Sequence, residues 1–472
     1  MSRGTSYQEV MARKGEIVNQ AVGIDYQEFE RPPIAFDYEE MMRTAGYSLD
    51  EVRAIQGEMN VGETPLMELK NITRLVRQLA PPGKGARIFL KDEAANPSGS
   101  FKDRRAAVSC YHAALKGYKG VIAATSGNYG AAVASQAARR GLKCIIVQEV
   151  FDSRGVGQPE IIEKGRACEA YGAEVWQLTV GPELFYTFLR LLEETGYFNA
   201  SLYTPFGIAG VETLGYEIAE ELREREGRAP DVVIATHAGG GNITGTGRGL
   251  IKAGSGRTVL VGASVDLSGL HMASDADFNR KSFTTGHTGF GVPFATKADR
   301  ADVPRNAARS LRYMDRYVTV TQGEVFYVTE MLAQLEGLQR GPAGNTSLAA
   351  AVVSIAQELS EQQIVVVNET EYTGAGKHPT AQLTFARRNG VEVRRGDPRE
   401  NRPGRAIVIP EDPGQIRAVD VDLDALRRSN IKNALEGLPE GYAPGPEEIR
   451  FLAGETRTDE AYVRQALEEL LL

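Results

Sequence analysis

Short apolar runs alternate with segments of helical periodicity over most of the chain. The runs predicted as buried strands are ARIFLKDE, GVIAAT, KCIIVQEV, AEVWQLT, DVVIATHA, TVLVGASV and QIVVVNET. Between them lie segments with helical spacing, among them FKDRRAAVSCYHAALKG, SGNYGAAVASQAARRG and GVETLGYEIAEELRERE. Because strands that alternate with helices form parallel βα units, the pattern predicts an α/β fold with mostly parallel sheets.

The pattern divides the chain into a two-lobed core and an extension at each end. We predict a helical extension over 1–58, a large α/β lobe from 59–104 and 201–395, a small α/β lobe over 105–200, and a C-terminal extension over 396–472. Each lobe is expected to hold a mostly parallel sheet flanked by helices. Ligands would then bind in the cleft between the lobes.

The last helix of the C-terminal extension has an apolar stripe. Thr458 is its predicted N-cap, and the stripe consists of Val463, Ala466, Leu467 and Leu470. This stripe predicts packing against the body of the protein or against a second subunit.

Composition and charge exclude several classes of function. The 472 residues carry a formal net charge of -8, and Lys and Arg are interspersed with Asp and Glu. This balance disfavours a surface for nucleic acid or an anionic membrane. The polar N-terminus resembles no signal peptide, and no apolar run is long enough to span a membrane, so we expect a soluble, cytoplasmic protein. Cys110, Cys144 and Cys168 lack metal-ligand spacing, which fits a reducing compartment and predicts no metal site.

Four segments carry candidate chemistry, and each follows a predicted strand. In the first, the loop NPSGS delivers Lys102 to the start of a helix. Among the N–H dipoles of a helix N-terminus, a lysine is biased toward the neutral amine that forms a Schiff base. The alternative interpretation is a solvated surface lysine in the charged run KDRR.

The second segment turns the strand VIAAT directly into a helix. Its N–H groups and the hydroxyls of Thr125 and Ser126, followed by Gly127, can hold a carboxylate, while Asn128 offers an amide to a phenolic oxygen. The alternative interpretation is an N-capped helix in an ordinary βα turn.

The third segment is rich in glycine and lies between a predicted strand and a predicted helix. It consists of Gly239, Gly240, Gly241, Asn242, Ile243 and Thr244. Consecutive glycines let backbone N–H groups converge on a phosphate. The segment lacks the lysine of a nucleoside-triphosphate loop, and a match to the dinucleotide fingerprint would alone be weak.

The fourth segment, EYTGAGK, places the hydroxyl of Thr373 after the strand IVVVNET. A neutral hydroxyl beside a pyridine nitrogen leaves that nitrogen largely unprotonated. Alone, the segment is only a loop. Together, the four segments supply an amine for an aldehyde, an amide for a ring oxygen, a phosphate cradle and a hydroxyl for a ring nitrogen. Pyridoxal 5'-phosphate requires these groups.

The motifs GETPL, SGSFKDR, TSGN, GGGNIT and TGAGK occur along about two thirds of the chain, over 62–377. In this order they resemble the fold-type II pyridoxal-phosphate enzymes, the group of threonine synthase, threonine dehydratase, cysteine synthase and the tryptophan synthase β chain. The resemblance implies a homodimer that binds pyridoxal 5'-phosphate in the cleft between its lobes.

The same resemblance implies a role for each matched residue. Lys102 would be the Schiff-base lysine and catalytic residue, Asn128 would contact the ring oxygen, and Thr373 would contact the pyridine nitrogen. Residues 239–244 would hold the phosphate, and residues 125–127 would receive the substrate carboxylate.

The long head, which opens with SYQEVMARKGEIVNQAVGIDY, and the tail beyond Arg395 are similar to a narrower family. These are the larger, β subunits of 2-amino-4-oxopentanoate thiolases, enzymes of ornithine degradation. The similarity implies an amino-acid substrate, coenzyme A as the acyl acceptor, and a small α subunit that completes a heterotetramer. The alternatives are threonine synthase or another β/γ-replacement lyase, and a pyridoxal-phosphate-binding pseudoenzyme.

Overall fold

The computed structural model describes residues 4–125, 127–269, 277–284, 302–372, 374 and 378–471. The strands in these ranges are β1 (Leu66–Glu68), β2 (Arg87–Asp92), β3 (Gly120–Thr125), β4 (Lys143–Phe151), β5 (Glu174–Thr179), β6 (Phe198–Asn199), β7 (Val232–Thr236), β8 (Val259–Val265), β9 (Arg316–Val320), β10 (Ile364–Glu369), β11 (Glu392–Arg395), β12 (Ala406–Ile409) and β13 (Val419–Asp420).

The helices in the same ranges are α1 (Tyr7–Ala12), α2 (Lys14–Val22), α3 (Tyr38–Ala45), α4 (Leu49–Gly57), α5 (Lys70–Leu79), α6 (Lys102–Leu115), α7 (Asn128–Arg139), α8 (Pro159–Ala170), α9 (Glu183–Thr195), α10 (Pro205–Glu226), α11 (Gly241–Lys252), α12 (Gln322–Glu336), α13 (Asn345–Ala350), α14 (Ala356–Glu358), α15 (Pro379–Arg388), α16 (Leu423–Ala434), α17 (Pro446–Thr456) and α18 (Glu460–Leu471). A π-helical turn, Ala351–Ile355, joins α13 to α14.

The smaller of the two main sheets has four strands in the order β5-β4-β3-β6, and all its pairs are parallel. Helices α7 and α9 pack against β3 and β4. These two central strands are therefore almost wholly buried, as their apolar sequences predict, whereas β5 at the edge is mostly exposed.

The larger sheet has seven strands in the order β1-β2-β10-β7-β8-β9-β13. Its five central strands are parallel, and the short edge strands β1 and β13 are antiparallel. Along the chain, β1 and β2 of the larger sheet come first, the four strands of the smaller sheet follow, and the remaining strands of the larger sheet come after them. These two mostly parallel sheets confirm the predicted α/β class, and the residues at which the lobes begin and end stay a prediction.

The N-terminal head is part of the core around the smaller sheet. Val10, Ile17 and Val22 belong to the same buried cluster as Val121 of β3 and Ile146 of β4. Burying these side chains removes apolar surface from water, which holds the head against the smaller sheet.

Helix α10 lies between two helices that carry predicted site residues. A Cβ added to Gly210 would lie 3.0 Å from the Cα of Arg105 in α6, and one added to Gly215 would lie 2.9 Å from the backbone nitrogen of Leu250 in α11. Gln56 of α4 braces the first contact, because its amide donates to the carbonyl oxygens of Arg104 (3.0 Å) and Gly210 (2.7 Å). Close backbone packing therefore fixes α6 and α11 relative to each other.

A buried ion-pair network holds the start of α6. The guanidinium of Arg104 donates to Glu93 from Nε and to Glu217 from Nη1, both at 2.7 Å. Lys91 Nζ lies 3.0 Å from Glu217. Burial alone would raise the pKa of Glu217, but attraction to Arg104 and Lys91 outweighs it and lowers that pKa from 4.5 to about 2. The network ties Arg104, two residues after Lys102, to Glu93 directly after β2 and to Glu217 of α10.

The C-terminal helices share a small buried cluster with Ile34 of the N-terminal head. Val463, Ala466 and Leu467 are buried there with side chains of α16 and α17, so most of the predicted stripe packs within this chain. Leu470 is 39% exposed and lies outside this cluster, because it falls in the final turn of α18.

The predicted cap of this helix is wrong by one position. The side chain of Asp459 accepts the backbone N–H of Tyr462 at 2.8 Å, while the hydroxyl of Thr458 pairs with Thr456. A carboxylate next to a threonine competes for the same N–H groups, and here it takes the capping position.

Within the described ranges, no helix combines the length and the apolar composition that crossing a membrane requires. Cys110, Cys144 and Cys168 are all buried and form no disulfide.

The Arg104 network makes stability depend on Glu217. Because the folded-state pKa of Glu217 lies below its usual value, the carboxylate contributes stability above pH 4.5 and loses it as pH falls toward about 2. We expect Glu217→Gln to cost about 3–5 kcal/mol at neutral pH, since it leaves buried cations uncompensated. Urea denaturation at several pH values would measure this cost and its decrease below pH 4.5. Glu40→Gln, which removes a solvent-exposed partner of Arg43, should leave the midpoint unchanged.

Candidate active site

The loop that precedes Lys102 is held by Asp103. One carboxylate oxygen of Asp103 accepts the backbone N–H of Ser98 at 2.7 Å and its hydroxyl at 2.6 Å. The other oxygen accepts the amide of Gln136 in α7 at 3.0 Å. Burial raises the pKa of Asp103 from 3.8 to about 6, and these hydrogen bonds oppose the rise. Asp103 therefore fixes the loop so that Lys102 is the first residue of α6.

The same loop is hydrogen-bonded to the chain that follows β10. Phe101 N–H donates to the carbonyl of Thr370 at 3.0 Å, and Tyr372 N–H donates to the carbonyl of Gly99 at 2.7 Å. These bonds bring the first and fourth predicted segments together. Thr373, the predicted partner of the pyridine nitrogen, lies outside the described residues, so its role stays a prediction.

The surroundings of Lys102 favour the neutral form of its amine. Its Nζ lies 4.7 Å from the centroid of the Phe101 ring. Burial is the largest cause that lowers the pKa of Lys102 well below its usual 10.5, the positive charge of Arg105 adds to it, and Glu371 opposes it. An amine in this state is a nucleophile and a base near neutral pH.

The second segment lies at the carboxyl end of β3, as predicted. The hydroxyl of Thr125 accepts the backbone N–H of Gly127 at 3.2 Å, and Asn128 is the first residue of α7. The amide of Asn128 donates to the carboxylate of Glu371. Ser126 lies outside the described residues. The substrate contacts of this segment stay a prediction.

Two acidic residues lie at and just after the end of β10: Glu369 is its last residue, and Glu371 contacts Asn128 of this segment. Burial, and then the negative charge of Glu371, raise the pKa of Glu369 well above its usual 4.5. The neutral form of the Glu369 carboxyl is therefore favoured, whereas Glu371 accepts a hydrogen bond from Asn128.

The third segment forms a sharp turn into α11. Gly240 is the N-cap with a φ of 88°, a left-handed conformation that glycine adopts without strain. The N–H groups of residues 241–243 belong to the first helical turn, where the helix itself supplies no acceptor. A turn of this kind attracts anions.

The side chains of this turn are already engaged within the protein. The Thr244 hydroxyl donates to the carbonyl of Gly240 at 2.9 Å, and the Asn242 carbonyl accepts the amide of Asn368 at 3.0 Å. Ile243 is buried in the core. The backbone, rather than these side chains, is thus the part of the turn that faces a ligand.

Contacts connect three of the predicted residues, Lys102, Asn128 and Gly241, through Glu371 and Arg105. Asn128 reaches Glu371, Glu371 and Arg105 both act on the charge of Lys102, and Arg105 lies against Gly241. Neither Arg105 nor Glu371 was predicted from the sequence. One indication of Arg105 was present in the sequence, since this residue is three residues after Lys102 and therefore lies on the same helix face. No indication of Glu371 was present in the sequence, because only the pairing of two distant segments brings this residue close to Lys102 and Asn128.

Residues 58–370 match the family described as "Pyridoxal-phosphate dependent enzyme", and the chain belongs to this family. It is a pyridoxal-phosphate-dependent enzyme. The chain is 67% identical over 470 residues to a "2-amino-4-ketopentanoate thiolase beta subunit" of an unknown prokaryotic organism, covering 100% of this chain and 99% of the relative. It is 65% identical to the protein of the same description from Acetoanaerobium sticklandii, covering 100% of both chains.

A solved structure supports the fold. Maize serine racemase is 22% identical, with a TM-score of 0.52 over 72% of this chain and 98% of the racemase. The predicted fold-type II class and its cofactor are therefore confirmed.

The described residues fit pyridoxal 5'-phosphate. Lys102 offers a neutral amine for the aldehyde, and the turn at Gly240 offers backbone N–H groups for the phosphate. A buried guanidinium, that of Arg105, lies against this turn. The assignment of each residue to an atom of the cofactor stays a prediction.

Lys102→Ala tests the covalent link. Borohydride treatment of the wild type should fix the reduced cofactor on the peptide that contains Lys102, detectable by mass spectrometry, and the variant should show no such adduct. Turnover should fall at least about 10²-fold, because a positioned base is lost. Lys116→Ala, which changes an exposed lysine at the end of the same helix, should behave as the wild type. Full turnover of Lys102→Ala with added cofactor would contradict the assignment.

Gly239→Ala tests the glycine turn. A Cβ at Gly239 would overlap the hydroxyl of Tyr203, so the turn or the tyrosine must move. We expect cofactor affinity to fall by about 1–3 kcal/mol, the usual cost of overpacking. Titration of the apoprotein with pyridoxal phosphate would measure this. Gly256→Ala is the matched control, since that position faces open space; equal affinities of the two variants would contradict the prediction.

Proposed function

We propose that this enzyme cleaves 2-amino-4-oxopentanoate with coenzyme A to give alanine and acetyl-coenzyme A. The observation that carries the proposal is identity of 65–67% along the whole chain to two proteins described as 2-amino-4-ketopentanoate thiolase beta subunits. That identity includes the head and the tail, which lie outside the family match over 58–370.

The residues of the site suit the first proton transfer. Pyridoxal phosphate, when bound, draws electrons from the carbons next to the substrate nitrogen and so makes their protons acidic. Lys102 takes the proton from Cα, since burial and Arg105 favour its neutral, basic form. The turn over residues 125–127 orients the substrate by its carboxylate.

The bond changes balance without an oxidant or a reductant. The thiolate of coenzyme A attacks the C4 carbonyl, and the bond between C3 and C4 breaks with its electron pair left on C3. C4 and C5 leave as the acetyl thioester. Protons then return to C3 and Cα, and these carbons become the methyl group and Cα of alanine.

A partner subunit belongs to the proposal. The relatives are described as beta subunits, which implies an α subunit. We propose a homodimer of this chain completed by small α subunits, acting in ornithine degradation in the cytoplasm.

Threonine synthase is the second candidate. A threonine synthase of Halalkalibacterium halodurans is 29% identical over 65% of this chain and 80% of its own length. That reaction also places negative charge on the substrate β carbon, so the same lysine and cofactor would serve it.

One assay separates the two candidates. With the small subunit present, we expect acetyl-coenzyme A to form only when both 2-amino-4-oxopentanoate and coenzyme A are supplied, and alanine to appear in equal amount. Chromatography of both products would establish the ratio. Threonine release from phosphohomoserine, with no acetyl-coenzyme A, would overturn the thiolase proposal in favour of threonine synthase.

A further inference from the structure

We propose that Arg105 binds the phosphate of the cofactor, as the charged partner of the glycine turn. This inference concerns the binding of the cofactor, and it holds for whichever of the two reactions the enzyme catalyses.

The position of Arg105 joins the lysine helix to the phosphate turn. Arg105 lies one turn after Lys102 on α6 and is only 1% exposed. A Cβ at Gly241 would lie 2.6 Å from its Nη1, so the guanidinium lies directly against the first residue of α11. Nη1 also donates to the carbonyl of Leu202 at 2.9 Å, which holds the group in this place.

Among the residues that the structure describes, no carboxylate balances the charge of Arg105. In the part of the chain that the structure describes, its Nε has no hydrogen-bond partner and no acidic side chain forms an ion pair with it. Burial lowers the pKa of Arg105, and the groups that oppose this are the phenols of Tyr203 and Tyr129.

Other buried arginines nearby differ in this respect. Arg104 lies between Glu93 and Glu217, and Arg309 pairs with Glu455. Burying a cation without a partner anion is costly in free energy. The burial of Arg105 is therefore explained if an anion that is not part of the chain binds to its guanidinium.

A phosphate fits this position better than a carboxylate does. The turn presents the N–H groups of residues 241–243 and the positive end of the α11 dipole, and the guanidinium adds a fork of donors suited to two phosphate oxygens. The substrate carboxylate is expected at residues 125–127, which follow β3, whereas Arg105 contacts the turn that follows β7. The hydroxyl of Tyr203, against Gly239, borders the same turn.

The test compares two forms of the cofactor on the apoprotein. Pyridoxal phosphate and pyridoxal both carry the aldehyde, and only the first carries the phosphate. Dissociation constants for both would be measured by absorbance titration of the wild type, Arg105→Gln, Arg105→Lys and the control Arg248→Gln. Arg248 lies on α11 but pairs with Glu212 and Glu39, so it leaves the turn unchanged. Circular dichroism would establish that each apoprotein is folded.

We expect Arg105→Gln to weaken binding of pyridoxal phosphate by about 10- to 100-fold, the usual range for a hydrogen bond to a charged group. Binding of pyridoxal should weaken much less, since only the effect of Arg105 on the pKa of Lys102 acts on both compounds. Arg105→Lys, which keeps the charge but loses the fork, should show a smaller loss confined to pyridoxal phosphate. Equal weakening of both compounds would assign Arg105 to the fold or to Lys102 and overturn the proposal, as would unchanged binding of both. If Arg105→Gln does not fold, the proposal is tested with Arg105→Lys, by comparing its losses of affinity for pyridoxal phosphate and for pyridoxal.

Discussion

The ion pairs of Arg104 are the constraint on which the rest of the site depends. Arg104 lies two residues after Lys102 and is fixed by Glu93, directly after β2, and by Glu217 of α10. Because a helix is held by its own backbone hydrogen bonds, anchoring the third residue of α6 also fixes its first and fourth, which are Lys102 and Arg105. A charged group in the core is costly unless its partners are in place, so this network forms only when β2, α6 and α10 have their native arrangement.

Helix α10 sets the distance between the amine of Lys102 and the glycine turn at Gly240. It contacts α6 at Gly210 and α11 at Gly215, where any side chain would collide with the neighbouring backbone. Two helices that begin at the carboxyl ends of different strands are thereby held as one unit. The head contributes to the same unit, because Gln56 of α4 joins α6 to α10 through backbone carbonyls. The N-terminal extension thereby supports the helix that carries Lys102.

The site combines charges of both signs in a confined space. Arg105 lies on one side of Lys102, and Glu371 acts on it from the segment after β10. Burial favours the neutral form of the lysine and also of Glu369, while Glu371 is held by Asn128. Lys102 and Arg105 lie on the helix that comes after β2, Asn128 begins the helix after β3, and the glycine turn follows β7, so groups from the ends of three strands form the site.

The sequence by itself determined the α/β class, the order of most strands and helices, and the motifs that mark Lys102, Asn128 and the turn over residues 239–244. These features are local, since periodicity, glycine runs and short motifs depend on neighbours along the chain. Tertiary structure alone decided that Glu371 meets Asn128, that Arg105 lies against Gly241 and that Asp459 caps α18 in place of Thr458. The first two depend on which distant segments pair, and the third depends on competition between adjacent side chains for the same N–H groups. None of these three contacts can be read from the spacing of residue types along the chain.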